Sequence, residues 1–311
     1  MYAKNFSRTL SCVLLALACT SALAIPPPPP APELEDLANA SYRGLLDVAG
    51  DITLTDGQWQ GEPYVEGGAS APAAHLVGNL VVQGDLNFDG RTDSINLLNY
   101  SAGGTGQFVY LAVSRFAENG VENFATVLLG DRVMVRDLRI DNGVVVVDMI
   151  QAGPNDGACC PGEVVTKAWR LQDNKLEEVP MNVETGRFSV ETIAGVEWIL
   201  SRWGHDEPVE DGIRITLSYA DGRFTGHSTC NRYFAGVGAG EDIAGSVSVD
   251  GVGSTRMACV EERFAIAEDR FLKALEQVGR ITFLAGEMVL NWGQGTDFGA
   301  LYFKRAEPGA D

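Results

Sequence analysis

Between Gly84 and Leu98 the sequence reads GDLNFDGRTDSINLL. Asp85, Asn87 and Asp89 set side-chain oxygens two residues apart, Gly90 permits a sharp turn, and Asp93 follows. With the backbone carbonyl of Arg91, this is the ligand order of a calcium loop, because a hard cation takes carboxylate, amide and carbonyl oxygens. Four oxygen-bearing side chains crowded into one turn repel unless a cation neutralises them. Two readings stay open: a structural Ca2+ site of weak affinity, or an Asx-rich turn without metal.

The twelfth position of that loop is Asn96, where an EF-hand needs a bidentate glutamate. The flanks HLVGNLVVQG and SINLLNY alternate like strands, not helices. The stretch therefore is no EF-hand. It resembles the Asp-x-Asp-x-Asp-Gly-x-x-Asp loops that sit between strands in FG-GAP and related extracellular repeats. That resemblance implies a staple between two strands.

Other groups with chemistry are sparse. His75, His205 and His227 are scattered and no CxxC occurs, which argues against a zinc site. No Gly-x-Ser-x-Gly elbow is present. His227 and Ser228 are neighbours, but neighbouring side chains of a strand point to opposite faces. SAGGTGQF, residues 101–108, lacks the lysine and the following helix of a phosphate loop. In CNRY, Asn231, Arg232 and Tyr233 are ligand-binding candidates, or else Asn231 satisfies a turn and Tyr233 is core.

The chain has 311 residues and a net charge of -19, so like charges oppose nucleic acid and anionic membrane surface. Residues 1–24 read as an export signal. Lys4 and Arg8 form the positive end, Leu10 to Ala18 the short apolar run, and Ala22, Leu23 and Ala24 the cleavage site. Lipidation at Cys19 is the alternative end of this segment and would be the one route to a membrane. The expected location is the periplasm or outer envelope of a Gram-negative-type bacterium, ahead of full secretion. Residues 25–33, IPPPPPAPE, form a stiff spacer or a terminal tail.

The rest reads as mainly β (α+β), in two β-rich domains. Residues 34–185 hold strand runs bounded by turn pairs, after one short helix in PELEDLANASY. Asn142 and Gly143, Asp173 and Asn174, and Asp221 and Gly222 mark hairpins. A polar, proline-containing stretch near 180–190 separates the domains. In residues 190–305 one helix is expected over Val260 to Val278, with Phe264, Ala267, Phe271, Leu275 and Val278 on one apolar face.

This second part resembles the META domain family (HslJ-like). IAGVEWIL, DGRFTGHSTCNRYFAG, STRMAC, EDRFLKAL and EMVLNW follow the family's motifs in order. Thr229 departs from it, standing where the family usually has glycine. The resemblance implies a cracked, β-barrel-like sheet with one packed helix, and a link to envelope stress and antibiotic tolerance. It implies no catalytic mechanism. Both Cys230 and Cys259 are flanked by its motifs; pairing them would stabilise by roughly 3–4 kcal/mol on the chain-entropy account. Cys159 and Cys160 are adjacent and would bridge as a static ring or a redox switch.

The expected function is therefore that of an exported, non-enzymatic envelope protein. It would act in stress tolerance by binding an envelope protein or an apolar ligand. Two rivals are a module that captures a secreted enzyme or cell-wall factor, and an extracytoplasmic hydrolase built on His227 and Ser228.

Overall fold

The computed structural model describes residues 30–306, apart from positions 47, 49, 158, 182, 184, 241 and 242 and the side chain at 79. The expected export signal, Cys19 and most of the proline spacer lie outside the described residues. The end of the spacer is docked: Ala31 is buried, and the Pro32 carbonyl accepts hydrogen bonds from Ser94 Oγ (2.6 Å) and Gln83 Nε2 (3.2 Å).

The fold is mainly β, as the alternation and turn pairs predict. In the N-terminal part a seven-stranded sheet is ordered Ile52–Thr53, Ser41–Tyr42, Gly120–Asp131, Phe108–Ala117, Asp93–Ser101, Ala73–Gly84, Gln58–Gln60. A second sheet is ordered Lys175–Val179, Glu163–Gln172, Val144–Gln151, Met134–Asp141. The two pack face to face. Ile95, Leu97, Leu111 and Val113 meet Val145, Val147 and Trp169 in one core. The intervening residues Leu98, Tyr100, Tyr110 and Ala112 face the other way and are covered by Tyr42, Ile52 and Leu54. Residues 108–114, buried on both faces, read as a near-continuous apolar run, whereas 93–100 are equally buried but carry Asp93, Ser94 and Asn96 among the apolar residues.

The C-terminal part is a nine-stranded sheet that curls almost into a barrel. Its ends, Val247–Ser254 and Val278–Leu284, are tied by a Ser246–Arg280 bridge and an Ile281 N–H to Gly245 O bond of 2.8 Å. The helix Glu262–Leu275 packs Ala267, Phe271, Ala274 and Leu275 into the core. It is shorter than expected, because the chain turns after Leu275 and Val278 already belongs to a strand. The three expected hairpin turns have left-handed residues: Asn142 and Gly143 (φ 49 and 74°), Asp173 and Asn174 (48 and 57°), Asp221 and Gly222 (49 and 71°).

The seam between the parts is tight. A fourth such turn, Ala285 and Gly286 (φ 46 and 85°), tips the hairpin of Val278–Leu284 and Glu287–Gln294. That tip enters the N-terminal core: Leu284 and Ala285 pack there, and the Gly286 N–H donates to Val135 O at 3.0 Å. In exchange Ile150 is part of the C-terminal core, with Met134 and Val164 against it. The strand Ala73–Gly84 breaks register between Leu76 and Val81 to receive the tip. At Gly78 (φ 62°) a Cβ would lie 2.7 Å from that of Ala285.

Gly78→Ala is therefore expected to cost about 1–3 kcal/mol, from the left-handed backbone and the overpacked contact together. Urea denaturation of the full chain measures it.

Candidate functional site

The acidic loop is closed by its own groups. Asp85 Oδ1 accepts the Asp89 N–H (3.1 Å), and Asp85 Oδ2 accepts the Gly90 N–H (2.8 Å). Asn87 Oδ1 also accepts the Asp89 N–H (3.3 Å), and Asp89 Oδ1 accepts that of Arg91 (2.9 Å). The buried Asp93 takes the Leu86 N–H on Oδ2 at 3.2 Å. Gly90 has φ 82°, as a sharp turn requires.

A cationic side chain that reaches this loop is Arg115, which sequence reasoning missed. It lies on the neighbouring strand Phe108–Ala117, one ladder position from the Ser94–Ser114 pair. Its guanidinium reaches Asp89 Oδ2 at 3.0 Å and Asp93 Oδ1 at 3.2 Å, and stacks 4.0 Å from the Phe124 ring centroid. Burial pushes the Asp93 carboxyl above the usual range, against the Leu86 amide and Arg115. Burial also pulls Asp89 upward, but the Arg91 amide, Asn87 and Arg115 outweigh it and hold that carboxyl low. The three carboxylates do not converge on one point. Among the described residues, the set of three metal-type ligand atoms within 4.8 Å is Cys230, Cys259 and Glu268, and those two cysteines are bonded to each other.

A second polar knot underlies CNRY. Glu268, on the helix, accepts from Ser228 Oγ (2.7 Å) and Asn231 Nδ2 (2.8 Å), and from the Asn231 N–H (3.2 Å). Asn231 Oδ1 accepts from Thr255 Oγ1 and the Met257 N–H, both at 2.8 Å. The Cys230–Cys259 disulfide, with Cα atoms 5.6 Å apart, ties the same two loops. Thr229, just before Cys230, has φ 91°, a region that favours glycine, and its hydroxyl donates to Phe264 O (3.0 Å). Tyr233 is buried, donates to Thr216 O (2.8 Å), and its phenol is pushed up by burial. Arg232 is exposed. Asn231 and Tyr233 thus serve the scaffold instead of facing a cleft.

His227 is exposed and Ser228 fully buried, on opposite faces as strand geometry demands. Cys159 and Cys160 are bonded to each other in the 152–162 loop. Asp156 holds that loop by accepting the Gly153 and Gly162 N–H groups, both at 2.8 Å, and pairs with Arg187.

A concavity of about 890 Å³ opens at the seam. Trp59, Leu76 and Leu284 supply apolar wall; His75, Arg202 and Glu287 supply polar groups. Gln58–Gln60, the edge strand of the seven-stranded sheet, forms one lip. Arg202 pairs with Glu287, donates to His205 O (2.6 Å) and stacks 4.1 Å from the Tyr302 ring centroid. Desolvation within the cleft lowers the pKa of His75. Neither part of the chain makes this cleft alone. The residues come from positions far apart in sequence, and Gly78 inside a strand was the available signal.

The model of the META domain family matches residues 191–305. The N-terminal part is unidentified. No curated protein matches the chain. Among solved structures, the chain is similar to one described as the NMR structure of the protein from Burkholderia xenovorans. Identity there is 23%, covering 42% of this chain and 99% of that one, with a TM-score of 0.31.

Three outcomes follow from the polar clusters. Arg115→Met leaves Asp93 buried without its cation and is expected to cost about 2–4 kcal/mol, softened by the solvent that reaches Asp89. Calorimetry should show an unchanged melting temperature for the wild type in millimolar calcium, and a calcium-dependent rise for Arg115→Met. Asn231→Ala removes partners from Glu268, Thr255 and Met257 at once, and should cost about 2–4 kcal/mol in chemical denaturation.

Proposed function

We propose that this chain is an exported envelope protein that binds an extended polypeptide segment in the seam cleft, without catalysis, and so contributes to stress tolerance. The observation that carries this reading is the cleft itself. It pairs an apolar wall with the edge of a sheet, and an extended chain can add to a sheet edge through its backbone while its side chains fill the wall.

Three further features support it. The first 24 residues have the composition of an export signal, and two disulfides suit an oxidising compartment. The acidic net charge turns the protein away from nucleic acid. The hydroxyl of Ser228, the nucleophile of the hydrolase reading, is fully buried and committed to Glu268.

Hydrogen exchange with a reduced, carboxymethylated unfolded protein as probe tests the reading. Protection is expected at residues 58–60 and 73–78, and Trp59→Ala should weaken binding about tenfold. Protection elsewhere, or none, overturns it. An apolar small molecule that protects the same residues while the polypeptide does not would make that molecule the occupant. In cells, deletion of the gene and Trp59→Ala should give the same sensitivity to heat and hydrophobic antibiotics.

A further inference from the structure

The two disulfides differ in what they close. Cys230–Cys259 joins positions 29 apart, a loop long enough to restrain the unfolded chain. Cys159–Cys160 joins neighbours in the sequence. A loop with no residue inside it removes little chain entropy, so this bond adds little to global stability. Its Cα atoms are 3.8 Å apart, the spacing of any trans peptide, where disulfides ordinarily span about 4.4–6.8 Å. Adjacency alone imposes that mismatch, and a bond so placed is reduced more readily than an ordinary one.

Access points the same way. Cys159 is exposed and Cys160 half-buried, whereas Cys230 and Cys259 are both half-buried. An incoming thiolate therefore has a more open path to Cys159 than to either sulfur of the other pair.

The bond sits in a loop that grips the linker between the two parts of the chain. The Asp156 side chain at its centre is 2% exposed. Asp156 Oδ2 accepts the N–H groups of Gly153 and Gly162, near the two ends of the loop, while Oδ1 pairs with Arg187. Arg187 belongs to the short strand Gly186–Arg187, which pairs with Glu163 and Val164. The next residue, Phe188, is buried in the C-terminal core, and its N–H donates to Gly162 O at 2.8 Å. A Cβ at Gly162 would lie 2.6 Å from the Arg187 guanidinium carbon and 2.7 Å from the Ala244 Cβ, so the end of the loop is pressed against linker and core together. The return from Asp156 to Gly162 runs through the disulfide, in a turn closed by the Cys160 N–H on Gly157 O at 2.9 Å.

We propose that Cys159–Cys160 is the site at which an external dithiol exchanges with this protein, and that opening it loosens the grip of the 152–162 loop on the linker at Arg187 and Phe188. A thiolate of the dithiol attacks the sulfur of Cys159. As that bond forms the Cys159–Cys160 bond breaks, and the electron pair leaves on the sulfur of Cys160, which takes a proton. The second thiol of the reagent then attacks the reagent's own sulfur in the mixed disulfide and releases Cys159 as a thiol. The protein gains two electrons and two protons, and the dithiol leaves as its disulfide. With the ring open, the segment between Asp156 and Gly162 has more conformations to give up, so the contacts at its ends open more often. The proposal is independent of the polypeptide cleft.

The test titrates the oxidised full chain with dithiothreitol, alkylates free thiols, and reads each cysteine from peptide masses. Cys159 and Cys160 are expected to open at about tenfold less reagent than Cys230 and Cys259. At that point hydrogen exchange should quicken at least about threefold at the amides of 153, 162 and 188. Cys159→Ser combined with Cys160→Ser should show the quickened exchange without reagent and keep the wild-type melting temperature. Opening of both disulfides together, or of Cys230–Cys259 first, overturns the site. Unchanged exchange at those amides overturns the coupling to the linker. A marked fall in the melting temperature of the double variant makes the bond a structural staple and overturns the proposal.

Discussion

The architecture turns on one contact, the Ala285 and Gly286 turn seated in the core of the N-terminal part. It brings a hydrogen bond from the Gly286 N–H to Val135 O and the side chains of Leu284 and Ala285 into a space left by the broken register of Ala73–Gly84. Without it, each sheet would present apolar surface to water: Val77 and Leu80 on one side, Leu284 on the other. The seam also fixes the distance between the edge strand Gln58–Gln60 and the Arg202–Glu287 pair, so the cleft has a definite shape. A pre-formed site loses less freedom on binding than one that must be assembled.

Both parts of the chain give interior charge a partner from the chain itself. Asp93 is buried opposite Arg115, whose guanidinium is also desolvated against Phe124. Glu268 is half buried and met by three donors from Ser228 and Asn231. In each case removing one member would leave the other in a low-dielectric site, where an uncompensated group is costly. These clusters hold strands and helix in register.

How much of this was legible follows from the range of each interaction. The turns Asn142–Gly143 and Asp221–Gly222 were readable because two adjacent left-handed residues leave few choices of side chain. The helix was readable from its apolar face, though its end was not, because Val278 continues the spacing while belonging to a strand. The acidic loop was readable as a turn that needs a positive charge. The source of that charge was not, since Arg115 meets Asp93 only through strand pairing. Glu268 carried an unused signal: it sits four residues after Phe264 and one after Ala267, beside the helix's apolar face, where a carboxylate implies a polar partner. The cleft was illegible for the same reason as Arg115, being the product of segments that meet only in the fold.

The residues that look most chemical in the sequence are the ones with least capacity left for a ligand. Around Asn231 the side-chain oxygen has two donors and the amide nitrogen two acceptors, Glu268 and Met257. A ligand arriving there would have to break bonds as good as those it makes, so binding would gain little. Free energy of association comes from groups that the free protein leaves unmatched. Among the described residues, those include the edge of Gln58–Gln60 and the apolar wall around Trp59. The conspicuous motif therefore builds the scaffold, and recognition falls to surfaces that the scaffold leaves incomplete.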